Sequence, residues 1–500
     1  MPQTREHLAI LNLLGLDRGA VVISKVDRVD AARLAEVERE ARSLLAASGL
    51  ADAPIYPVAA TTGEGMAALR AHLTAVAGEA TARPRDALFR LAVDRVFTLA
   101  GAGLVVTGTV HAGSVRVGDE IALAPAEKNV GKRARVRAIH ALNAPAERGV
   151  AGERCSLNLA GEIRKADVRR GDWVVAPNLA RSVLRFDAHL TLLANESKPL
   201  RHWSAVHCHL GAEAVLAHVA VLNEAQRIAL GERAFVQIVV ERALFTVLGD
   251  RFVLRDPSAT RTIAGGVALD PDPPTRKRRT PERLALLRAL SVQHPGDRLS
   301  AVVGQSPVGL TRNRLSTHSG LASEQLLTLA VASDLHIVTL RDDELYITSA
   351  RWAMLAAKLR GALEAFHRDQ PDEAGLERDR LRRMALPHLD RDVYARLVDA
   401  LIIAGQLAAA GPWLHLPAHR IQLTPQEQRF RDAVVPRIDQ DAFDPPWMRD
   451  LARAERLDER TTRTYLKRLA RTGELHQVVP DLFYSAQAIE RLARIACDLA

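Results

Sequence analysis

A chain of 500 residues with a 48% hydrophobic share can build several separate cores, about three to five domains at the usual domain size. Its net charge of +9 favours an acidic partner, nucleic acid ahead of a membrane surface, and no apolar run reaches the roughly 18 residues of a membrane span. Three widely spaced cysteines, Cys155, Cys208 and Cys497, argue against a disulfide framework and a zinc site, and the N-terminus has no signal-peptide pattern, so the expected compartment is the cytoplasm.

Leu8, Leu11, Leu14 and Leu16 recur at roughly helical spacing, which predicts an opening helix that stops at Gly15. Ala20 to Ile23 reads as a short buried strand, and the acid-bearing loop Ser24, Lys25, Val26, Asp27 follows at once. A helical pattern from Ala31 to Ser48, a second strand from Ile55 to Ala59, and a helix from Met66 to about Gly78 complete an alternation typical of an open parallel α/β sheet. The loop resembles the [NT]KxD guanine motif of translational GTPases, and its residue types suit that role: the carboxylate of Asp27 can accept from the ring N–H and the exocyclic amine of guanine together, a pair adenine does not offer, while the Lys25 stem covers the base. Val58, Ala59 and Ala60 follow a strand and precede a glycine turn, where the same resemblance implies a backbone contact to the guanine carbonyl. A surface turn is the competing reading of so short a motif. No G-x-x-x-x-G-K-[ST] occurs in the sequence, so it carries no phosphate cradle, no lysine for the outer phosphates and no hydroxyl for magnesium. The expectation is a guanine half-site that does not hydrolyse GTP alone, with no catalytic residues and no metal ligands.

From Val93 to Ile121 the chain reads VDRVFTLAGAGLVVTGTVHAGSVRVGDEI. Its β-branched run from Leu104 to Val110 is punctuated by Gly101, Gly103, Gly108, Gly113 and Gly118, which predicts short strands joined by tight turns and hence a small antiparallel barrel. Ser182 to Asp270 alternates again and predicts a second one. His202, His207, His209 and His218 fall within it, and His207 and His209 share a strand face. No further ligands stand at matched spacing, so structural or RNA-facing roles are favoured over zinc. The linker DPDPPTRKRRTPE sets Arg276, Lys277, Arg278 and Arg279 among prolines; it reads as a solvated connection, with phosphate contact the alternative.

Beyond the linker, three apolar helices end in the similar segments LTLAVASDL, ALIIAGQL and RLARTGEL, and each is followed by an extended pair. Helices followed by a hairpin describe a winged helix, here in tandem. In DERTTRTYLKRLARTG, helical spacing puts Arg460, Arg463, Lys467 and Arg471 on one face and turns Tyr465, Leu466 and Leu469 inward. Phosphate contact and an ordinary solvated face both account for that charge.

Several of these stretches carry a family resemblance. SKVD resembles the [NT]KxD guanine motif of translational GTPases, and the G-x-G-x-V-V-T-G core from Gly101 to Gly108 resembles the second domain of the elongation factor Tu superfamily. With QTREH at the start, AGERCSLNLAG, RRGDWVV and tandem winged helices, the chain is similar to the bacterial selenocysteine-specific elongation factors. The resemblance implies a multidomain α/β plus all-β plus α+β fold: a partial GTPase domain over residues 1–82, antiparallel β-barrels over 86–178 and 182–272, and a basic linker over 273–281. Tandem winged-helix modules would cover 282–349, 350–420 and 423–486, with the start of a fourth at 487–500. It also implies GTP-dependent delivery of selenocysteinyl-tRNA to the ribosome at recoded UGA codons by a monomer with no membrane contact. GTP is the implied cofactor, with magnesium, and a messenger-RNA hairpin is gripped by the last module. On this comparison the sequence lacks the P-loop half of its first domain and most of that last module.

The family must distinguish selenocysteine, whose selenol is anionic at neutral pH, from serine, and fixed guanidinium groups would do so. By position in the barrel, Arg95 and Arg154 are expected to contact the selenolate, Asp94 to hold one arginine and Phe97 to line the pocket; a salt bridge on the barrel rim is the competing reading. Two alternative functions remain: another translational GTPase-superfamily factor, and a non-enzymatic winged-helix protein that binds nucleic acid.

Overall fold

A computed structural model describes residues 2–46, 48–79, 85–99, 103–125, 131–161, 163–371, 373–421, 423–441 and 443–499. The chain forms two compact units, residues 1–335 and 336–500.

In the first unit, helix α1 (Pro2–Leu13) precedes strand β1 (Val21–Ser24), helix α2 (Ala31–Leu45), strand β2 (Ile55–Val58) and helix α3 (Met66–Glu79). Asp30 starts α2 by accepting from the Arg33 N–H, one of the donors a helix leaves unpaired at its first turn. β1 and β2 form a parallel pair with Ser24 opposite Val58, which brings the loops after both strands to one end. α1 lies against the barrel strand Thr262–Asp270, with Leu13 over Gly265, and the Glu6 carboxylate meets Arg255 of the adjacent strand Arg251–Arg255 at 2.9 Å.

The first barrel is built on the hairpin of β3 (Arg90–Leu99) and β4 (Gly103–Ala112). The strand Arg154–Ala160 pairs with β4 on one side and with Arg133–Ala141 on the other, which closes the sheet. Leu91, Val93, Val106, Val110, Ile139 and Leu157 fill its interior. One expectation changes here: Gly108 does not break the run into short strands, because β4 continues through it for ten residues. Gly108 faces a bulge in β3, and a Cβ at this position would stand 1.9 Å from the Ala92 carbonyl oxygen. The glycine therefore answers a close backbone approach, not a turn. Gly101 lies outside the described residues.

The second barrel is closed by six antiparallel strands, from Val183–Leu192 to Thr262–Asp270. Phe186 and Phe252 meet edge to face at its centre, 5.4 Å apart. Trp173 of the first barrel packs on Phe245 of the second, and Arg90 pairs with Asp250 at 2.8 Å with both side chains only 12% exposed. The linker runs over the barrel surface with Pro274, Thr275, Arg276, Lys277 and Arg279 exposed, and it is tied down at two points: Arg278 donates to Gln237 Oε1 at 3.2 Å, and the Gln237 amide donates to the Pro274 carbonyl. Helices α4 (Pro281–Leu290), α5 (Pro295–Gln305), α6 (Arg312–Ser319) and α7 (Ser323–Ala332) follow. The Arg283 guanidinium of α4 bonds Asp187 at 2.9 Å and Asp270 at 2.8 Å, all three buried.

The second unit contains helices α8 (Ser349–Asp369), α9 (Arg378–Ala385) and α10 (Arg391–Ile403), then the paired strands Ala408–Ala410 and Trp413–His415. Helices α11 (Pro425–Gln440), α12 (Met448–Ala454) and α13 (Glu459–Thr472) lead into the hairpin of Leu475–Val479 and Leu482–Ser485, and α14 (Ala486–Leu499) ends the described chain. Phe430, Val434, Leu451, Leu466, Leu469 and Phe483 form one core between these elements. Among the described residues no helix is long and apolar enough to cross a membrane.

Candidate functional site

The outer face of the first barrel carries the polar cluster. The register of β3 on β4 shifts between Val93 and Arg95, which makes Asp94 the extra residue of a bulge and leaves Arg95 opposite Thr107. Thr107 and Thr109 stand opposite Ser156 and Arg154 on the neighbouring strand, so these side chains share one face. Arg154 grips Asp94 through both terminal nitrogens, Nη2 at 3.0 Å from Oδ1, and Thr107 Oγ1 donates to the same carboxylate at 2.9 Å. The Arg154 hydrogen bonds hold the Asp94 carboxyl below its ordinary range, and Asp94 in turn raises Arg154. Arg95 is exposed and has no ion pair among the described residues, while Phe97, two positions on, is half-buried. Cys155, next to Arg154, turns the other way: it is 1% exposed, and burial pushes its thiol up to about 11.

Sequence reasoning did not find Thr107. Its signal, a hydroxyl between Val106 and Gly108, becomes readable only once the bulge places Asp94 beside it.

A second cluster stands at the shared end of β1 and β2. Lys25 adopts a left-handed conformation (φ 64°) between Ser24 and a short turn over Val26–Arg28, with Val26 buried beneath and Lys25 and Asp27 exposed above. Thr61 Oγ1 donates to Asp27 Oδ2 at 3.4 Å. Ala59 is fully buried and its N–H is already bonded to the Glu64 carbonyl at 3.0 Å, whereas Ala60 is exposed.

On α13, Leu466 and Leu469 are fully buried, and Tyr465 lies half-buried against Phe430 with its hydroxyl on Gln426. Arg463 is held by Asp481 through two bonds of 2.7 and 2.8 Å, and Arg471 pairs with Glu373 at 3.3 Å. Arg460 and Lys467 are exposed, with no ion pair among the described residues. His207 and His209 both face outward from their strand, His207 bonded to the Pro257 carbonyl; among the described residues no group of three or more potential metal ligands converges.

Family models match along the chain: elongation factor Tu GTP binding domain at residues 1–79, elongation factor Tu domain 2 at 103–175, and the beta-barrel domain of selenocysteine-specific elongation factor at 187–275. The elongation factor SelB winged helix matches 360–416, and the winged helix domain of selenocysteine-specific elongation factor matches 424–484. All of this chain aligns with 77% of the selenocysteine-specific elongation factor of Escherichia coli K12, at 35% identity over 505 residues. The chain belongs to the selenocysteine-specific elongation factor family. The corresponding factor of Haemophilus influenzae is 30% identical, again over all of this chain and 77% of the relative. A crystal structure of a bacterial selenocysteine-specific elongation factor, EF-Sec, superposes with a TM-score of 0.62 at 18% identity, over 99% of this chain and 76% of that one, and shares its fold. As a member of this family the chain combines a partial GTPase domain, two β-barrels and winged-helix modules.

Proposed function

We propose that this chain acts as the GTP-dependent carrier of selenocysteinyl-tRNA to the ribosome at recoded UGA codons, and that it receives the aminoacyl group on the outer face of the first barrel. The observation that carries this reading is the charge balance there. Two guanidinium groups, Arg95 and Arg154, share one carboxylate, Asp94, which is committed to Arg154. The cluster is left with a net charge of about one positive unit, the complement of a single selenolate. Arg95 supplies forked donors to the anion, Arg154 is pinned by Asp94 at the edge, and Phe97 lines the apolar side. A seryl group is neutral and gains nothing from the extra charge.

At the other cluster, Asp27 takes the two donors of guanine and Lys25 covers the base. The backbone N–H of Ala60 serves the guanine carbonyl, because that of Ala59 is already used. These residues fit the base of GTP, and magnesium belongs with its phosphates. On α13, Arg460 and Lys467 are the cations available to RNA phosphates, with Arg463 and Arg471 held back by their acids.

The test is a competition between selenocysteinyl- and seryl-tRNA. Removing one charge-assisted contact in Arg95→Ala costs about 1.5–3 kcal/mol, so the preference for selenocysteine falls roughly 10- to 150-fold. An Arg95→Ala protein with the parent's preference sinks the assignment of the pocket, and a parent without any preference sinks the function.

A further inference from the structure

The second barrel carries an exposed aromatic surface that the aminoacyl site, the guanine loop and α13 do not use. Trp203 lies between the short strand Leu200–Arg201 and the strand Ser204–Leu210, 49% exposed, with its backbone at φ 66°. A bulky aromatic residue is a strained choice for that left-handed conformation, where glycine or asparagine would fit without cost. The turn is nevertheless well tied: the Trp203 N–H donates to the Val219 carbonyl at 2.7 Å and the His202 N–H to that of Gln226 at 2.8 Å. The indole is stacked on His218, 5.2 Å between centroids and 18° between planes, with the His202 ring beside it at 6.1 Å.

Cations surround this aromatic triad. Arg201 and Arg227 are directly opposite each other on a two-stranded ribbon, an arrangement in which like charges repel unless an anion lies between them. Arg279 reaches His202 Nδ1 at 3.3 Å, and Lys277, Arg278 and Arg279 line a cleft with His202. Arg201, Arg227, Arg276, Lys277 and Arg279 have no ion pair among the described residues, whereas Arg255 and Arg261 of the same barrel are paired with Glu6 and Glu196. A flat π-face with uncompensated cations at its edge suits a base and its flanking phosphates, and it suits an unpaired base specifically, because a paired one hides both faces in the stack.

We infer that Trp203, backed by His218 and flanked by Arg201, Arg227 and Arg279, is a stacking platform for an unpaired base of single-stranded RNA. The site is separate from the aminoacyl cluster and does not rest on it, so the two stand or fall by different measurements. Intrinsic fluorescence, read as the difference between the parent and Trp203→Phe, reports on this indole. A single-stranded oligoadenylate quenches it, and an RNA duplex of equal length or inorganic polyphosphate of equal charge does not. Loss of one base–aromatic stack in Trp203→Gly weakens oligoadenylate binding about 5- to 150-fold, while Trp203→Phe retains most of it. Glycine relieves the left-handed strain, so the melting temperature of Trp203→Gly does not fall, which separates lost binding from lost folding. Arg201→Ala combined with Arg227→Ala lowers the log–log salt slope of binding by about 1.4, two phosphate contacts on a single strand. Equal quenching by duplex or polyphosphate overturns the inference, as does parental affinity in a folded Trp203→Gly protein.

Discussion

Asp94 and Asp256 are both carboxylates held by several donors, and they do different work. Asp94 spends its two oxygens on Arg154 and Thr107 and so sets how much positive charge the barrel face presents. Asp256 closes a loop. Burial raises its pKa, but the N–H groups of Arg261 and Thr260 and the hydroxyls of Ser258 and Thr260 outweigh that and bring it down to about 2. A carboxylate whose folded value lies below its unfolded one stabilises the fold fully above the unfolded value and loses that contribution as pH falls through the folded one. The melting temperature of the parent therefore exceeds that of Asp256→Asn near neutrality, and the gap closes between about pH 4 and pH 2. A gap that widens on acidification excludes this account.

At the scale of elements, what was legible in the sequence depended on whether the cause of a residue choice lay nearby. The apolar runs of β1 and β2 and the helical patterns around them are local, and so is the buried stripe of Leu466 and Leu469 on α13. Gly108 was misread because its reason lies in another strand: the bulge at Asp94 brings the Ala92 carbonyl over its Cα. The site residues show the same limit. Asp94 and Arg154 stand 60 positions apart, and nothing near either one indicates that a hydroxyl at position 107 completes the pair. Gly108→Val tests the corrected reading: overpacking against fixed backbone costs about 1–3 kcal/mol or more, seen as a lower midpoint in urea unfolding. A turn glycine without that contact would tolerate the change far better in this extended conformation.

Over the first unit as a whole, polar joints carry much of the registration between parts. Arg90 and Asp250 link the two barrels, and Arg283 links α4 to Asp187 and Asp270 of the second. Removing one partner of a buried pair leaves the other charge stranded, so Arg283→Ala lowers unfolding stability by about 3–5 kcal/mol. Replacing Arg283 and both acids by apolar residues of similar volume costs much less, and equal losses in the two variants would show that packing, not charge, holds the joint. The strand that carries Arg154 also carries Cys155, on its opposite face. Alternation along a strand sends Cys155 into the apolar interior while its neighbour faces the proposed cargo, and burial keeps that sulfur protonated well above neutrality. A register slip of a single residue would exchange the two, setting a thiol on the polar outer face and burying a guanidinium among apolar side chains. The pleat thus decides which chemistry the face offers: a fixed charge at Arg154, and no sulfur nucleophile from its neighbour.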